Sequence, residues 1–67
     1  MKVICMSSEV EWFEAGTTYK AEKIPNTDKI VVYDGEGDTY LDEWNAKKLG
    51  DQYVSWACNA WFEVVTQ

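Results

Sequence analysis

The sequence predicts a mainly β domain, with five or six short strands closed into a small barrel and one short helix. Two observations predict this class. Short runs of β-branched and aromatic residues recur along the chain, separated by Gly, Pro, Asn and Asp. The 67 residues are also 46% hydrophobic and 15% aromatic, which is too apolar for a disordered segment. We expect a single domain over residues 1–67.

The first half of the chain contains three such runs and one turn. "KVICM" at 2–6 is apolar and partly β-branched, and "TTYKAEKI" at 17–24 alternates between two faces, so both predict strands. "PNTD" at 25–28 predicts a turn, because Pro restricts φ while Asn and Asp can bond to nearby backbone. "KIVVYD" at 29–34 is the clearest strand, and its continuous apolar run predicts burial on both faces.

The next segment predicts a hairpin and then a helix. "DGEG" supplies two glycines able to take positive φ, which suits a tight hairpin with a return strand over about 38–41. Thr39 with Asp42 resembles a capping box, and the lysines before Gly50 suit a helix end. We therefore predict one short helix over about 42–49. The alternative is an α+β domain, in which an antiparallel sheet carries a helix at about 40–49.

The last part of the chain predicts two strands and much of the core. "DQYVSWAC" at 51–58 alternates between two faces, and "WFEVV" at 61–65 is a strong terminal strand. Each large aromatic side chain can bury roughly 150–250 Å², so a small core is expected to use most of them. The predicted core aromatics are Trp12, Phe13, Tyr19, Trp56, Trp61 and Phe62.

The cysteines and the N-terminal segment bear on the compartment. Cys5 and Cys58 both lie in apolar surroundings, which predicts buried thiols in a reducing cytosol; a disulfide between them is the alternative. The apolar run in "MKVICM" is shorter than the roughly 7–15 residues of a secretory signal or the roughly 20 of a membrane span. We therefore expect a cytoplasmic protein with no membrane partner.

The charge balance argues against two classes of function. Twelve Asp and Glu stand against six Lys, with neither Arg nor His, for a net charge of -6. Direct nucleic-acid binding needs a basic field and is not expected. A Ser or Cys nucleophile would lack its usual His base, so we expect no enzyme and no cofactor. The same acidic field favours a basic protein surface as the partner.

One stretch, "YDGEGDTYLDEW" at 33–44, combines five carboxylates with three aromatic rings. Asp34, Glu36 and Asp38 take the first, third and fifth positions of a twelve-residue calcium loop. Thr39, however, stands where such a loop needs Gly, and Asn45 stands where it needs a bidentate Glu. We therefore predict no metal site.

Two interpretations of this stretch remain. Carboxylates beside aromatic rings suit a lysine or arginine of a partner, which gains Coulomb attraction and a cation–π contact. Alternatively, the charges form a solvated turn and the rings pack into the core, which burial of Tyr40 and Trp44 would indicate. The candidate protein-binding residues are Tyr33, Asp34, Glu36, Asp38, Tyr40, Asp42, Glu43 and Trp44.

The order of "FEAGTTY", "KAEKI", "IVVYDGEGDTY" and "WFEVV" resembles the small SH3-like barrels encoded by tailed bacteriophages and their prophages. Phe13, Gly16 and Tyr19 match an aromatic–x–x–Gly–x–x–Tyr element, Asp34 with Gly37 matches a D-x-x-G hairpin, and 62–64 match a terminal "FE-V" strand. The resemblance covers roughly 1–41 and 60–66, while 42–58 is longer than the pattern.

The resemblance implies a small SH3-like barrel and a modest functional role. Such relatives are acidic, non-enzymatic accessory proteins, some of which bind and inhibit host enzymes. We therefore expect a monomer or weak dimer that binds the basic surface of a bacterial host protein in the host cytoplasm. The alternatives are an inhibitor that mimics nucleic acid and occupies a partner's phosphate sites, and a component of the virion or its assembly.

Overall fold

The computed structural model describes residues 1–34 and 43–66, with the backbone alone for Thr66. Its strands form one closed antiparallel barrel, in which each strand pairs with the next and the last pairs with the first. This confirms the small SH3-like barrel that the sequence predicts. The strands are β1 (Lys2–Ser7), β2 (Thr18–Lys23), β3 (Lys29–Tyr33), β4 (Glu43–Leu49), β5 (Gln52–Ser55) and β6 (Ala60–Thr66).

Because the strands run alternately up and down, the connections alternate between the two ends of the barrel. The 8–17 loop, the start of the β3–β4 connection and the 56–59 turn lie at one end, which we call the tryptophan end. The 24–28 and 50–51 turns lie at the other, which we call the lysine end. The tryptophan end carries Trp12, Trp44, Trp56 and Trp61, and the lysine end carries Lys23, Lys29, Lys47 and Lys48.

The interior is filled by one inward row of side chains from each strand. Alternation is clear in β3 and in the first part of β1, where Ile30, Val32, Val3 and Cys5 are fully buried between more exposed neighbours. Small residues from β2 and β4 leave room for the phenylalanines. The buried interior cluster comprises Val3, Cys5, Phe13, Ala21, Ile30, Val32, Ala46, Tyr53, Cys58, Ala60 and Phe62.

The predicted helix over 42–49 is wrong, and so is the α+β alternative with a helix at 40–49. Residues 43–49 form β4, which pairs with β3 from Tyr33↔Glu43 to Lys29↔Lys47. A helix of two turns is marginal by itself, whereas β4 satisfies the open backbone edge of β3 and buries Ala46 in the interior. The predicted return strand over 38–41 and its glycine hairpin lie outside the described residues.

The other strand predictions are confirmed, with small shifts at their ends. The segments 2–6, 17–24, 29–34 and 61–65 correspond to β1, β2, β3 and β6. The predicted strand 51–58 is too long, because β5 ends at Ser55 and the chain turns. Both cysteines are buried and free, as the sequence predicts.

The aromatic core was predicted too large. Phe13 and Phe62 are fully buried, and Tyr19 and Trp61 are half-buried. Trp12 and Trp56 are instead 44% and 65% exposed. The interior of a barrel of six short strands has room for the two phenylalanine rings but not for additional indoles. Trp12 and Trp56 therefore lie at the rim of the barrel.

Candidate functional site

The 8–17 loop closes the tryptophan end of the barrel by inserting one phenylalanine. Phe13 is fully buried and makes edge-to-face contacts with Phe62, at 5.0 Å between ring centroids, and with Tyr19, at 4.9 Å. Aromatic pairs in this geometry are each worth about 0.5–1.5 kcal/mol beyond the area they bury. The three rings therefore fasten the loop to the barrel.

Hydrogen bonds fix the returning half of this loop. The Glu14 amide donates to the Tyr19 hydroxyl at 2.7 Å, and the Gly16 amide donates to the Cys5 carbonyl at 2.8 Å. The Cys5 amide in turn donates to the Thr17 carbonyl at 2.9 Å. Gly16 has φ +90°, a conformation that favours glycine. The loop is thus held at both Phe13 and its return to β2.

Because Phe13 is buried, its neighbour Trp12 lies on the surface, against Trp44 at the start of β4. The indoles of Trp12 and Trp44 stack with centroids 5.4 Å apart and planes 19° apart. Trp44 is half-buried against the interior, and its Nε1 donates a hydrogen bond to Asp34 Oδ2 at 2.8 Å. The polar atom of the inner indole is therefore satisfied, while 44% of Trp12 remains exposed.

Exposed carboxylates lie at the same end of the barrel as this stack. Glu9, Glu11 and Glu14 are exposed on the same loop as Trp12, and Glu43 is exposed at the start of β4. Within the described part of the chain, no lysine lies in the connections at this end. A cation placed against the exposed indole would meet the ring quadrupole and several negative charges together. The arrangement suits an ammonium or guanidinium group.

Tyr33 connects this end to the outer wall of the barrel. It is half-buried, pairs across the strands with Glu43, and lies near the Glu22 carboxylate of the neighbouring strand. Partial burial, followed by the negative charges of Glu22 and Glu43, raises the pKa of its phenol above the ordinary value. Tyr33 therefore stays neutral to a higher pH than an ordinary tyrosine.

A second tryptophan pair lies at the same end. Trp56, in the β5–β6 turn, meets Trp61 edge to face with centroids 6.3 Å apart and planes 71° apart. Trp56 is 65% exposed. Val54, the cross-strand partner of Trp61, is fully buried although it does not belong to the interior cluster. Apolar packing thus extends onto the outer wall here.

The structure brings four of the eight predicted site residues together. Tyr33 pairs with Glu43, and Trp44 hydrogen-bonds Asp34. The half-buried, stacked state of Trp44 means that it contributes to both the core and the surface. The remaining predicted site residues, Glu36, Asp38, Tyr40 and Asp42, lie outside the described residues.

Sequence reasoning missed Trp12 and the glutamates beside it. A signal was present in "EWFE", because adjacent residues in a tight loop rarely both face one small interior, and the flanking glutamates favour solvent on one side. It also missed Trp56, which was assigned to the core.

Among residues 1–34 and 43–66, no three acidic or cysteine side chains come together as a metal site. Over the same residues, no helix has the length and apolar character needed to cross a bilayer. Comparison of the chain with protein-family models, with curated proteins and with solved structures gave no match.

Proposed function

We propose that the tryptophan end binds a basic surface of another protein and thereby modulates or blocks that protein. The observation that carries this proposal is the exposed Trp12, stacked on Trp44 at the end of the barrel where exposed glutamates also lie. Tryptophan, held in place by neighbouring packing, is among the residues that contribute most binding energy in protein interfaces.

The mechanism has two steps. The acidic end first steers a positively charged surface toward it, which raises the association rate and makes it sensitive to salt. A lysine or arginine of the partner then lies against the exposed face of Trp12, between the glutamates of the 8–17 loop and Glu43. The stack on Trp44 and the insertion of Phe13 hold Trp12 in position before binding, which reduces the entropy lost on association.

A binding role suits the described residues better than a catalytic one. The thiols of Cys5 and Cys58 and the hydroxyl of Ser55 are all buried in the barrel. A nucleophile needs access to its substrate and an adjacent base. The resemblance to phage-encoded barrels supports a bacterial host protein as the partner, with inhibition of that protein as the outcome.

The first test is a titration of tryptophan fluorescence with a defined basic peptide rich in Lys and Arg. We expect Trp12→Ala, and separately Glu11→Gln with Glu43→Gln, to weaken binding at least about tenfold, which corresponds to about 1.4 kcal/mol. The matched control is Asp28→Asn with Asp51→Asn, which removes the same charge at the lysine end and should bind like the original protein.

The same variants then serve in affinity capture from bacterial lysate. A host protein retained by the original chain and by the lysine-end control, but lost by the Trp12 variant, would place the interface on the tryptophan end. If the substitutions at the two ends weaken peptide binding equally, the proposal is contradicted, because binding would then depend only on net charge. Displacement of DNA from the captured protein would favour the nucleic-acid mimic.

A further inference from the structure

The lysine end has a charge pattern opposite to that of the tryptophan end. Four of the chain's six lysines lie there on β2, β3 and β4, and all four are exposed. The Lys48 amide donates to the Asp28 carbonyl at 3.0 Å, which holds the end of β4 beside the 24–28 turn. The carboxylates in the connections at this end are those of Asp28 and Asp51.

Two of these lysines face each other directly. Lys29 on β3 and Lys47 on β4 are cross-strand partners, and both are exposed. Like charges directly opposite in an antiparallel pair destabilise the sheet. This pair therefore does not stabilise the barrel, and an external anion placed over it would relieve the repulsion.

The two ends act as separate electrostatic surfaces. Lys29 and Asp34, at opposite ends of β3, are about 16 Å apart in an extended strand. The Debye length at physiological ionic strength is about 8 Å, so each end presents its own sign of charge to an approaching molecule. Although the chain is acidic overall, it carries both a cation-attracting and an anion-attracting end.

We propose that copies of this chain associate head to tail, with the lysine end of one copy on the tryptophan end of the next. Lys29 and Lys47 would meet Glu11, Glu43 and the exposed face of Trp12. A hollow of about 380 Å³, lined by Met1, Ala21, Glu22 and Lys23, also lies toward this end of the barrel. This inference rests on the proposed function to the extent that both use the tryptophan end.

Two consequences follow from this geometry. The contact joins different surfaces, so it extends into short strings unless the rotation between copies closes a ring. The molecule measures only 28 × 23 × 22 Å, so one end can supply at most the lower part of the roughly 600–1,000 Å² that each partner buries in a stable interface. The association is therefore weak and salt-dependent, and it competes with a basic partner for the tryptophan end.

The test is sedimentation velocity over a concentration series at low salt. We expect the average mass of the original protein to rise with concentration and to fall to that of a monomer near 1 M salt, where the Debye length is about 3 Å. Lys29→Glu with Lys47→Glu, and separately Glu11→Lys with Glu43→Lys, should each remain monomeric. Circular dichroism checks that both variants are folded.

An equal mixture of the two charge-reversed variants is the decisive sample. The lysine-reversed variant keeps an unchanged tryptophan end and the glutamate-reversed variant keeps an unchanged lysine end, so the mixture should regain a complex that neither forms alone. A monomer at every concentration of the original protein, or association that both reversals leave unchanged, would overturn the inference.

A second measurement uses the original chain without substitutions. Carbodiimide treatment of mixed isotope-labelled and unlabelled protein should join a lysine of the lysine end to a glutamate of the 8–17 loop or Glu43 on another copy. Cross-links between copies at other surfaces alone would contradict the proposal. The lysine-reversed variant should still bind the basic peptide, so failure here is distinguishable from failure of the proposed function.

Discussion

At the scale of single residues, the barrel places most polar groups where solvent or a partner satisfies them, with one clear exception. Ser55 is 1% exposed, and its Oγ has no hydrogen-bond partner among the described residues. A buried hydroxyl without a partner costs about 1–3 kcal/mol relative to its state in water. Ser55 lies at the end of β5, so its side chain fills space near the β5–β6 turn at the cost of that penalty.

Replacing this serine should stabilise the protein. We expect Ser55→Ala to raise the free energy of unfolding by about 1 kcal/mol, because the unsatisfied hydroxyl is removed with little change in volume. Urea unfolding followed by tryptophan fluorescence measures the effect. Ser7→Ala, at an exposed position on β1, serves as the control and should change stability by less than about 0.5 kcal/mol. A less stable Ser55 variant would indicate a hydrogen bond that the structure lacks.

At the scale of elements, one tyrosine lies between carboxylates of the two neighbouring strands on the outer wall. Tyr33 of β3 pairs with Glu43 of β4, and its phenol lies near Glu22 of β2. Partial burial, and then the negative charges of Glu22 and Glu43, raise the pKa of the phenol. Ionisation of Tyr33 would place three negative charges on adjacent strands.

The raised pKa makes stability depend on alkaline pH. Because the folded pKa of Tyr33 lies above the ordinary 10.0, its contribution to stability is complete below about pH 10 and is lost as the pH rises through the folded value. We expect the original protein to lose stability relative to Tyr33→Phe above about pH 10. Urea unfolding of both proteins between pH 8 and 11 tests this, and a difference that is independent of pH would contradict it.

At the scale of the whole molecule, like charges are gathered at each end. The 8–17 loop contains three exposed glutamates, and Lys29 faces Lys47 at the other end of the barrel. With a net charge of -6, repulsion within the folded state exceeds what an even distribution would give. The same separation of charge underlies both proposed interactions, so binding and stability are linked.

Screening salt should therefore stabilise the isolated fold. We expect the urea midpoint to rise between about 0.02 M and 0.5 M sodium chloride, because the shorter Debye length weakens the repulsion between like charges. Dilute protein keeps self-association out of the measurement. Lys29→Gln removes the repulsion between Lys29 and Lys47 and should reduce the salt effect. Lys20 of β2 faces Lys2 of β1, so Lys20→Gln tests the second pair of facing lysines in the same way. A midpoint that falls with salt would show that attraction between charges dominates.

Local sequence was informative where a strand carries its own pattern. The alternating "TTYKAEKI" and the apolar "KIVVY" encode burial through side chains spaced at the β period, so β2 and β3 could be predicted. "EWNAKKL" alternates only over 43–47, where Trp44 is half-buried and Ala46 is the one fully buried residue, so its strand conformation depends more on pairing with β3. A pairing partner that is distant in sequence leaves no local signal.

The candidate site shows the same division. The sequence by itself determined that carboxylates and aromatic rings occur together in 33–44, that the chain is acidic, and that the domain is a small β barrel. The tertiary structure decided that Trp12 joins Trp44 at the surface while its neighbour Phe13 fills the barrel. It also gathered the lysines at the opposite end. The physical reason is that barrel closure sets which residues fit inside and which loops meet, and both are properties of the whole sheet.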